Sequence, residues 1–295
     1  YSMTQFRNFV LIGGGGGGKG KELQNVIEVY QLNQADLSSN ILRKLTHKED
    51  TGEKVANFLE SANGLNVIAA CISNFVGLYK FHFPEGKISF LQEFQADFAQ
   101  KDSTLNCLKW SRDNSTLIVG GEDRTVRVYK VADPKDFTVP LELQVELKGG
   151  HYDTINGLDI SPAKTLVLSS GQDCQANVWN IAQKRTMAKL TFSDTECKNI
   201  RGELDTSNFP IKGCCFSRCS RFIFVLAARP KYKSFVVKYS VAPSANGGIV
   251  TFPLEAIDVH NHQCVSMRIS RDGTYLSLGS CDGYIKVMDI ETSQL

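Results

Sequence analysis

Two groups of residues have the types and spacing of chemistry. The first is the run Gly13-Gly14-Gly15-Gly16-Gly17-Gly18-Lys19-Gly20-Lys21. Gly13 to Lys19 satisfies G-x-x-x-x-G-K, the pattern in which backbone amides cradle a phosphate and a lysine reaches it. Position 20 is glycine, where Ser or Thr should hold the magnesium ion. The second group is His151, Ser169 and Asp173: a base, a hydroxyl and a carboxylate, the residue types of nucleophilic catalysis. A third cluster, Cys214-Cys215-Phe216-Ser217-Arg218-Cys219, lacks the C-x-x-C spacing of a zinc site.

The elements around the glycine run limit what it can do. It lies between the apolar segment Phe9-Val10-Leu11-Ile12 and the strand-like segment Asn25-Val26-Ile27-Glu28-Val29-Tyr30. A phosphate loop opens a helix whose N-terminus receives the anion, whereas Glu22 to Leu32 alternates like a strand. A G-x-G-x-x-G match is automatic in six glycines and lacks the same helix. A flexible hairpin tip is a second reading. Ordering the run would cost about 6–12 kcal/mol at roughly 1–2 kcal/mol per residue, so a third reading is a loop stiffened by something it binds.

The chain has 295 residues, 42% of them apolar, enough to bury a large core. A net charge of +2 gives no support to nucleic-acid binding. Nine cysteines, mostly in apolar strand-like segments, behave as small hydrophobes and favour a reducing, cytosolic setting. No segment reaches the roughly 18 apolar residues of a membrane span, and the chain begins at Tyr1 without the features of a signal peptide. A soluble chain is expected, with any anchor lying beyond Leu295.

Helical periodicity is nearly absent, while short strands and turns recur at a spacing of about fifty residues. Asn106-Cys107-Leu108-Lys109-Trp110-Ser111 precedes Leu117 to Asp123 and then Val126-Arg127-Val128-Tyr129. The order returns in 156–161, 166–173 and 176–179, again in 265–273, 275–283 and 284–288, and more loosely in 214–217, 222–225 and 235–239. These units resemble WD repeats, each of which supplies a four-stranded propeller blade. On that resemblance His151, Ser169, Asp173 and Trp179 form a buried structural network rather than a catalytic set. His260 and Asp282 match at the same offset, with Met288 in place of the tryptophan.

Weaker blades come earlier: Phe9 to Ile12, Val26 to Leu32 and Ile41 to Thr46, then Val67 to Ile72, Val76 to Phe83 and Ile88 to Phe94. The expected fold is an all-β WD-repeat β-propeller, one domain over 1–295. Six blades are visible, and a seventh of the family fold is missing or truncated, since a propeller must close its edges. Asp194 to Asn208 and Pro243 to Gly248 read as insertions. The basic tip Arg229-Pro230-Lys231-Tyr232-Lys233 reads as a solvated hairpin, with a contact surface as the alternative.

In that frame the glycine run is a loop between neighbouring strands of the first blade. Val10-Leu11-Ile12-Gly13-Gly14-Gly15-Gly16, a polar excursion, Asn25 and an alternating strand resemble the endoplasmic-reticulum guanine-nucleotide exchange factors for the small GTPase of the COPII coat. This is the prolactin regulatory element-binding protein family. The resemblance implies a potassium ion on loop backbone oxygens, here at Gly15, Gly16, Gly17, Gly18, Lys19 and Gly20, although Lys19 to Glu22 depart from the family pattern. It implies contact with the GTPase through Leu23 and Asn25, Leu23 as an apolar wedge and Asn25 as a partner contact or a brace for the loop. It also implies GDP release without bond breaking, and a place on the cytosolic face of the endoplasmic reticulum through an anchor absent from this chain. A non-catalytic WD-repeat scaffold is the alternative.

Overall fold

A continuous apolar run such as Val67-Ile68-Ala69-Ala70-Cys71-Ile72 can bury both faces only inside a stack of sheets, and all six residues are buried. The computed structural model describes residues 2–14, 24–32, 43–52, 54–62, 64–99, 103–190, 209–244 and 248–295. All regular structure among these residues is β. The strands make six antiparallel sheets, each following chain order, as in propeller blades.

The chain divides into two compact units, Tyr1–Asp123 with Arg127–Gln144, and Arg124–Val126 with Val145–Leu295. Sheet 1 holds β1 (Ser2–Phe6), β2 (Phe9–Gly14), β3 (Val26–Leu32) and β4 (Arg43–Asp50). Sheet 2 holds β5 (Ala56–Ala62), β6 (Val67–Ile72), β7 (Phe75–His82) and β8 (Lys87–Gln95). Sheet 3 holds β9 (Leu105–Trp110), β10 (Thr116–Gly121), β11 (Val126–Lys130) and β12 (Glu142–Leu147).

Within the first unit, Phe6, Phe9, Leu11, Ile27 and Val29 of sheet 1 pack on Leu59, Ile68, Ala70 and Phe81 of sheet 2. Each such side chain contributes about 1.5–3 kcal/mol on burial. The opposite face of sheet 2 presents Val67, Ala69 and Leu78 to Leu105, Leu108 and Leu117 of sheet 3.

The second unit repeats the scheme. Sheet 4 contains β13 (Ile155–Ile160), β14 (Leu166–Gly171), β15 (Ala176–Asn180) and β16 (Arg185–Leu190). Sheet 5 contains β17 (Ile211–Phe216), β18 (Phe222–Ala228), β19 (Ser234–Pro243) and β20 (Ile249–His260). Sheet 6 has three strands among the described residues, β21 (Cys264–Ile269), β22 (Tyr275–Ser280) and β23 (Ile285–Asp289). Ile223, Val225 and Val237 face sheet 4, while Phe224, Leu226 and Val236 face Leu276, Leu278 and Met288 of sheet 6.

Two local devices recur. The first strand of five sheets carries a bulge that leaves Asn57, Asn106, Asn156, Lys212 or Val265 unpaired in the ladder. The following hairpin is closed by a serine whose hydroxyl accepts the amide five residues on. Thr116 donates to Ser111 (3.0 Å), Leu166 to Ser161 (3.0 Å), Phe222 to Ser217 (2.9 Å) and Tyr275 to Ser270 (2.9 Å).

Several sequence expectations change in detail. The first and second sheets gain β1 and β5, neither of which was among the predicted strands. The strand expected over Ile41 to Thr46 is β4, described from Arg43 to Asp50; residues 41 and 42 lie outside the described residues. Gly13 and Gly14, read as the start of a loop, are the last residues of β2 and pair with Ile27 and Val26. A Cβ on Gly13 would stand 3.0 Å from the Ala56 carbonyl oxygen and 3.1 Å from the Leu59 side chain, so its bareness serves the packing of β2 on β5. Gly15, Gly16, Gly17, Gly18, Lys19, Gly20 and Leu23 lie outside the described residues, as do the insertion Asp194 to Asn208 and residues 245–247 of the second insertion.

Candidate functional site

Ser169 on β14 and Asn177 and Trp179 on β15 project to one side of sheet 4, and the turn between these strands carries Asp173. His151 comes from the segment leading into β13. Its Nδ1 donates to Asp173 at 2.9 Å, because a carboxylate can only accept. That tautomer leaves Nε2 as an acceptor, filled by the Ser169 hydroxyl at 2.7 Å and the Asn177 amide at 3.1 Å. Ser169 in turn accepts from Trp179 Nε1 at 2.8 Å. Asp173 also receives the Tyr152 backbone amide at 3.1 Å.

The result is a one-way relay from Trp179 through Ser169 and His151 to Asp173. The His151 and Asp173 side chains are 0% exposed and Ser169 is 0% exposed, so no substrate can reach the hydroxyl. The arrangement holds two strands and a turn together and offers nothing for acyl transfer. Asn177 was not singled out in the sequence; its signal was a polar residue inside the otherwise buried strand Ala176–Asn180.

Sheet 3 solves the same problem with charge. Arg127 stands four residues after Asp123, as Asn177 stands four after Asp173. Its guanidinium meets Asp123 at 2.6 Å and donates to the Ala96 carbonyl at 2.6 Å. Asp97, fully buried, accepts the amides of Asp123 and Ala99, both at 3.0 Å. Alternation in Val126-Arg127-Val128 suggests a solvated arginine, yet Arg127 is buried, and neither it nor Asp97 stood out in the sequence.

In sheet 6 the relay is opened. Leu278 and Met288 are buried where the serine and the tryptophan would stand, so neither relay partner of the histidine is present. His260 presents Nε2, rather than Nδ1, to Asp282 at 2.9 Å. His260, His262 and Asp282 bring one ligand atom each within 4.8 Å of one another, a set able to hold a metal ion. Imidazole suits first-row transition ions, so this group is no match for potassium.

At the glycine run, the described flanks are β2 and β3. The residues that follow form a strand, not the helix a phosphate loop needs. Asn25 is buried; its amide donates to the Gly52 carbonyl at 3.0 Å, and its own carbonyl accepts from Thr51 at 3.0 Å. These bonds fasten the chain entering β3 to the turn after β4. Potassium ligation cannot be read from the flanks, because every oxygen assigned to it belongs to residues 15–20.

Elsewhere, the tip 229–233 is partly committed: Arg229 lies 4.8 Å over the Tyr232 ring, Tyr232 meets Phe209 edge-on, and Lys233 pairs with Asp258 at 2.9 Å. Eight cysteines are described, all free; of the Cys214 cluster, Cys214 and Cys215 are buried and Cys219 is exposed. Partial desolvation opposes ionisation of Cys219, but hydrogen bonds from Ser217 and Arg221 outweigh it and lower its pKa to about 7. No helix among the described residues is long and apolar enough to cross a membrane.

Comparison with known proteins matches a family model, "WD domain, G-beta repeat", at residues 90–130, 142–180 and 253–289. Each match begins in the outer strand of one sheet and runs through three strands of the next. Small ribosomal subunit protein RACK1 of Drosophila melanogaster is 26% identical over 194 residues, covering 64% of this chain and 52% of that protein. Restriction of telomere capping protein 1 of Candida dubliniensis is 24% identical over 190 residues, covering 64% of this chain and 16% of that protein. The chain thus spans about half the length of the first relative and a small part of the second. A chain in the crystal structure of the mitotic checkpoint complex aligns with a TM-score of 0.66 at 14% identity, over 96% of this chain and 71% of that one, a likeness of fold alone. The matched repeats, the sheet order and this likeness together support a WD40 β-propeller fold.

Proposed function

We propose that the chain is a non-catalytic protein-interaction module that works by presenting loops and blade edges to other proteins. The observation that carries this reading is the closed relay of sheet 4: the one nucleophile-base-acid set the sequence offers is sealed and used for framework. The fold likeness is to a chain in a structure titled for a multiprotein complex, and one relative is named for the ribosomal subunit, both assemblies. Affinity capture with the purified chain, followed by titration of the captured protein, tests the reading. Saturable binding of a defined partner supports it, and turnover of a substrate by the isolated chain refutes it.

A finer reading is favoured by the frame of the glycine run, in which β2 and β3 pair up to Gly14 and Val26 and Asn25 is tied to Gly52. Residues 15–23 make the connection that this frame anchors at both ends. On the family resemblance it would press on the small GTPase of the COPII coat and favour the nucleotide-free form, exchange following from differential binding. Potassium on the loop carbonyls, a cytosolic position on the endoplasmic-reticulum membrane and a seventh blade accompany this reading. GDP release from that GTPase should accelerate with the chain present and slow with Leu23→Ala or Asn25→Ala. Equal stimulation by both variants removes the assigned roles; binding without stimulation leaves the scaffold reading alone.

A further inference from the structure

The sixth sheet carries the remains of the relay in a form that a metal could use. His260 ends β20, His262 lies in the turn to β21, and Asp282 lies in the turn between β22 and β23. His260 Nε2 stands 2.9 and 3.0 Å from the two Asp282 oxygens, and His262 Nδ1 stands 3.0 Å from one of them. Two imidazoles thus share one carboxylate. A structural relay needs only one, as His151 and Asp173 show.

The two turns are latched to each other, so the three side chains start from fixed backbone. Cys281 donates its amide to the Gln263 carbonyl at 2.9 Å, and the Ser280 hydroxyl donates to the same oxygen at 3.2 Å. The buried Ser234 hydroxyl donates to the His262 carbonyl and accepts the Cys264 amide, both at 2.8 Å. The Tyr284 amide points at Asp282. Exposure rises from 11% for the His260 side chain to 23% for Asp282 and 60% for His262, against 0% for both partners in sheet 4. With Leu278 and Met288 in place of the serine and the tryptophan, no hydroxyl from this sheet position holds the histidine, and the group opens to solvent on one side.

We propose that His260, His262 and Asp282 form a binding site for a divalent first-row transition ion of the zinc class, with its fourth position open to water or to a ligand from another molecule. Two imidazoles and a carboxylate with an open position are an established zinc donor set. Ligands at about 2.0–2.1 Å from a tetrahedral centre stand about 3.3 Å apart, so the two imidazole–carboxylate distances need to widen by only a few tenths of an ångström, while the two imidazole nitrogens, within 4.8 Å of each other, must come to the same spacing. Each imidazole would move its proton to its far nitrogen, leaving the near one to coordinate.

Zinc titration of the whole chain, kept reduced, tests the proposal by calorimetry, with cobalt(II) absorption as the probe of ligand type. One equivalent of ion bound with nitrogen and oxygen ligands and no thiolate charge-transfer band is expected. His262→Ala, at an exposed ring, should keep the fold and weaken binding by roughly tenfold or more, as should Asp282→Asn. Cys281→Ser should leave affinity within about twofold. Affinity unchanged in His262→Ala, or abolished in Cys281→Ser, overturns the assignment.

Discussion

Replacing Ser169 with alanine separates the closed relay from the open one. Ser169 accepts from Trp179 Nε1 and donates to His151 Nε2 in a fully buried setting. The alanine orphans the indole N–H, at about 1–3 kcal/mol, while His151 keeps the Asn177 amide and loses about 1 kcal/mol. The sum is about 2–4 kcal/mol. Ser280→Ala removes a hydroxyl of sheet 6 that belongs to no such relay, since buried Leu278 and Met288 stand where Ser169 and Trp179 do; only a 3.2 Å bond to Gln263 is lost, so about 1 kcal/mol or less is expected. Urea unfolding of the two variants, followed by tryptophan fluorescence and by circular dichroism, measures the gap. A Trp179→Phe background adds a sharper control: with the donor gone, Ser169→Ala should cost about 1–3 kcal/mol less than in the native background. Equal costs for the two serines, or no coupling with Trp179, would refute the relay as a source of stability.

Other perturbations address separate features. Gly13→Ala should destabilise by about 1–3 kcal/mol in the same unfolding assay, because the new methyl meets the Ala56 carbonyl at 3.0 Å; a neutral result would show that β2 can shift from β5. Lys238→Met removes the buried ammonium that donates to the Ile290 carbonyl at 2.9 Å, so protease cleavage near residues 289–294 should rise severalfold, and an unchanged pattern would count against this tether. Cys219 should alkylate with a midpoint near pH 7, since the lowered pKa makes thiolate the main form above it. Arg221→Ala should move that midpoint upward, and an unmoved midpoint would show that Arg221 has no part in it.

Sheets 3, 4 and 6 were legible because their hairpins carry a local chemistry that spacing records. A serine closes the first turn, and an aspartate begins the second, at Asp123, Asp173 and Asp282. β1 and β5 were not legible. Asn57 occupies the same bulge as Asn106 and Asn156, but the turn at Ala62–Leu65 lacks the serine that marks the others. The outer strands β12, β16 and β20 bury few residues and therefore carry little apolar period. Arg127 and Asp97 were hidden for another reason: paired with Asp123 and with backbone amides, they are charged groups inside the protein, and type alone places such residues at the surface. At the glycine run, type was informative about bareness but not about position, since Gly13 serves a packing contact rather than a loop.

Because every sheet pairs only strands that follow one another in sequence, each ladder is closed over a short stretch of chain. Lengthening a joint between two paired strands then costs only about 0.6 kcal/mol for each doubling of its length. The ladders on either side need not change register to admit it. The nine residues between Gly14 and Gln24 can therefore be exchanged wholesale while β2 and β3 keep their partners, so that, on the function proposed above, recognition at this joint can diverge between relatives without the framework being rebuilt.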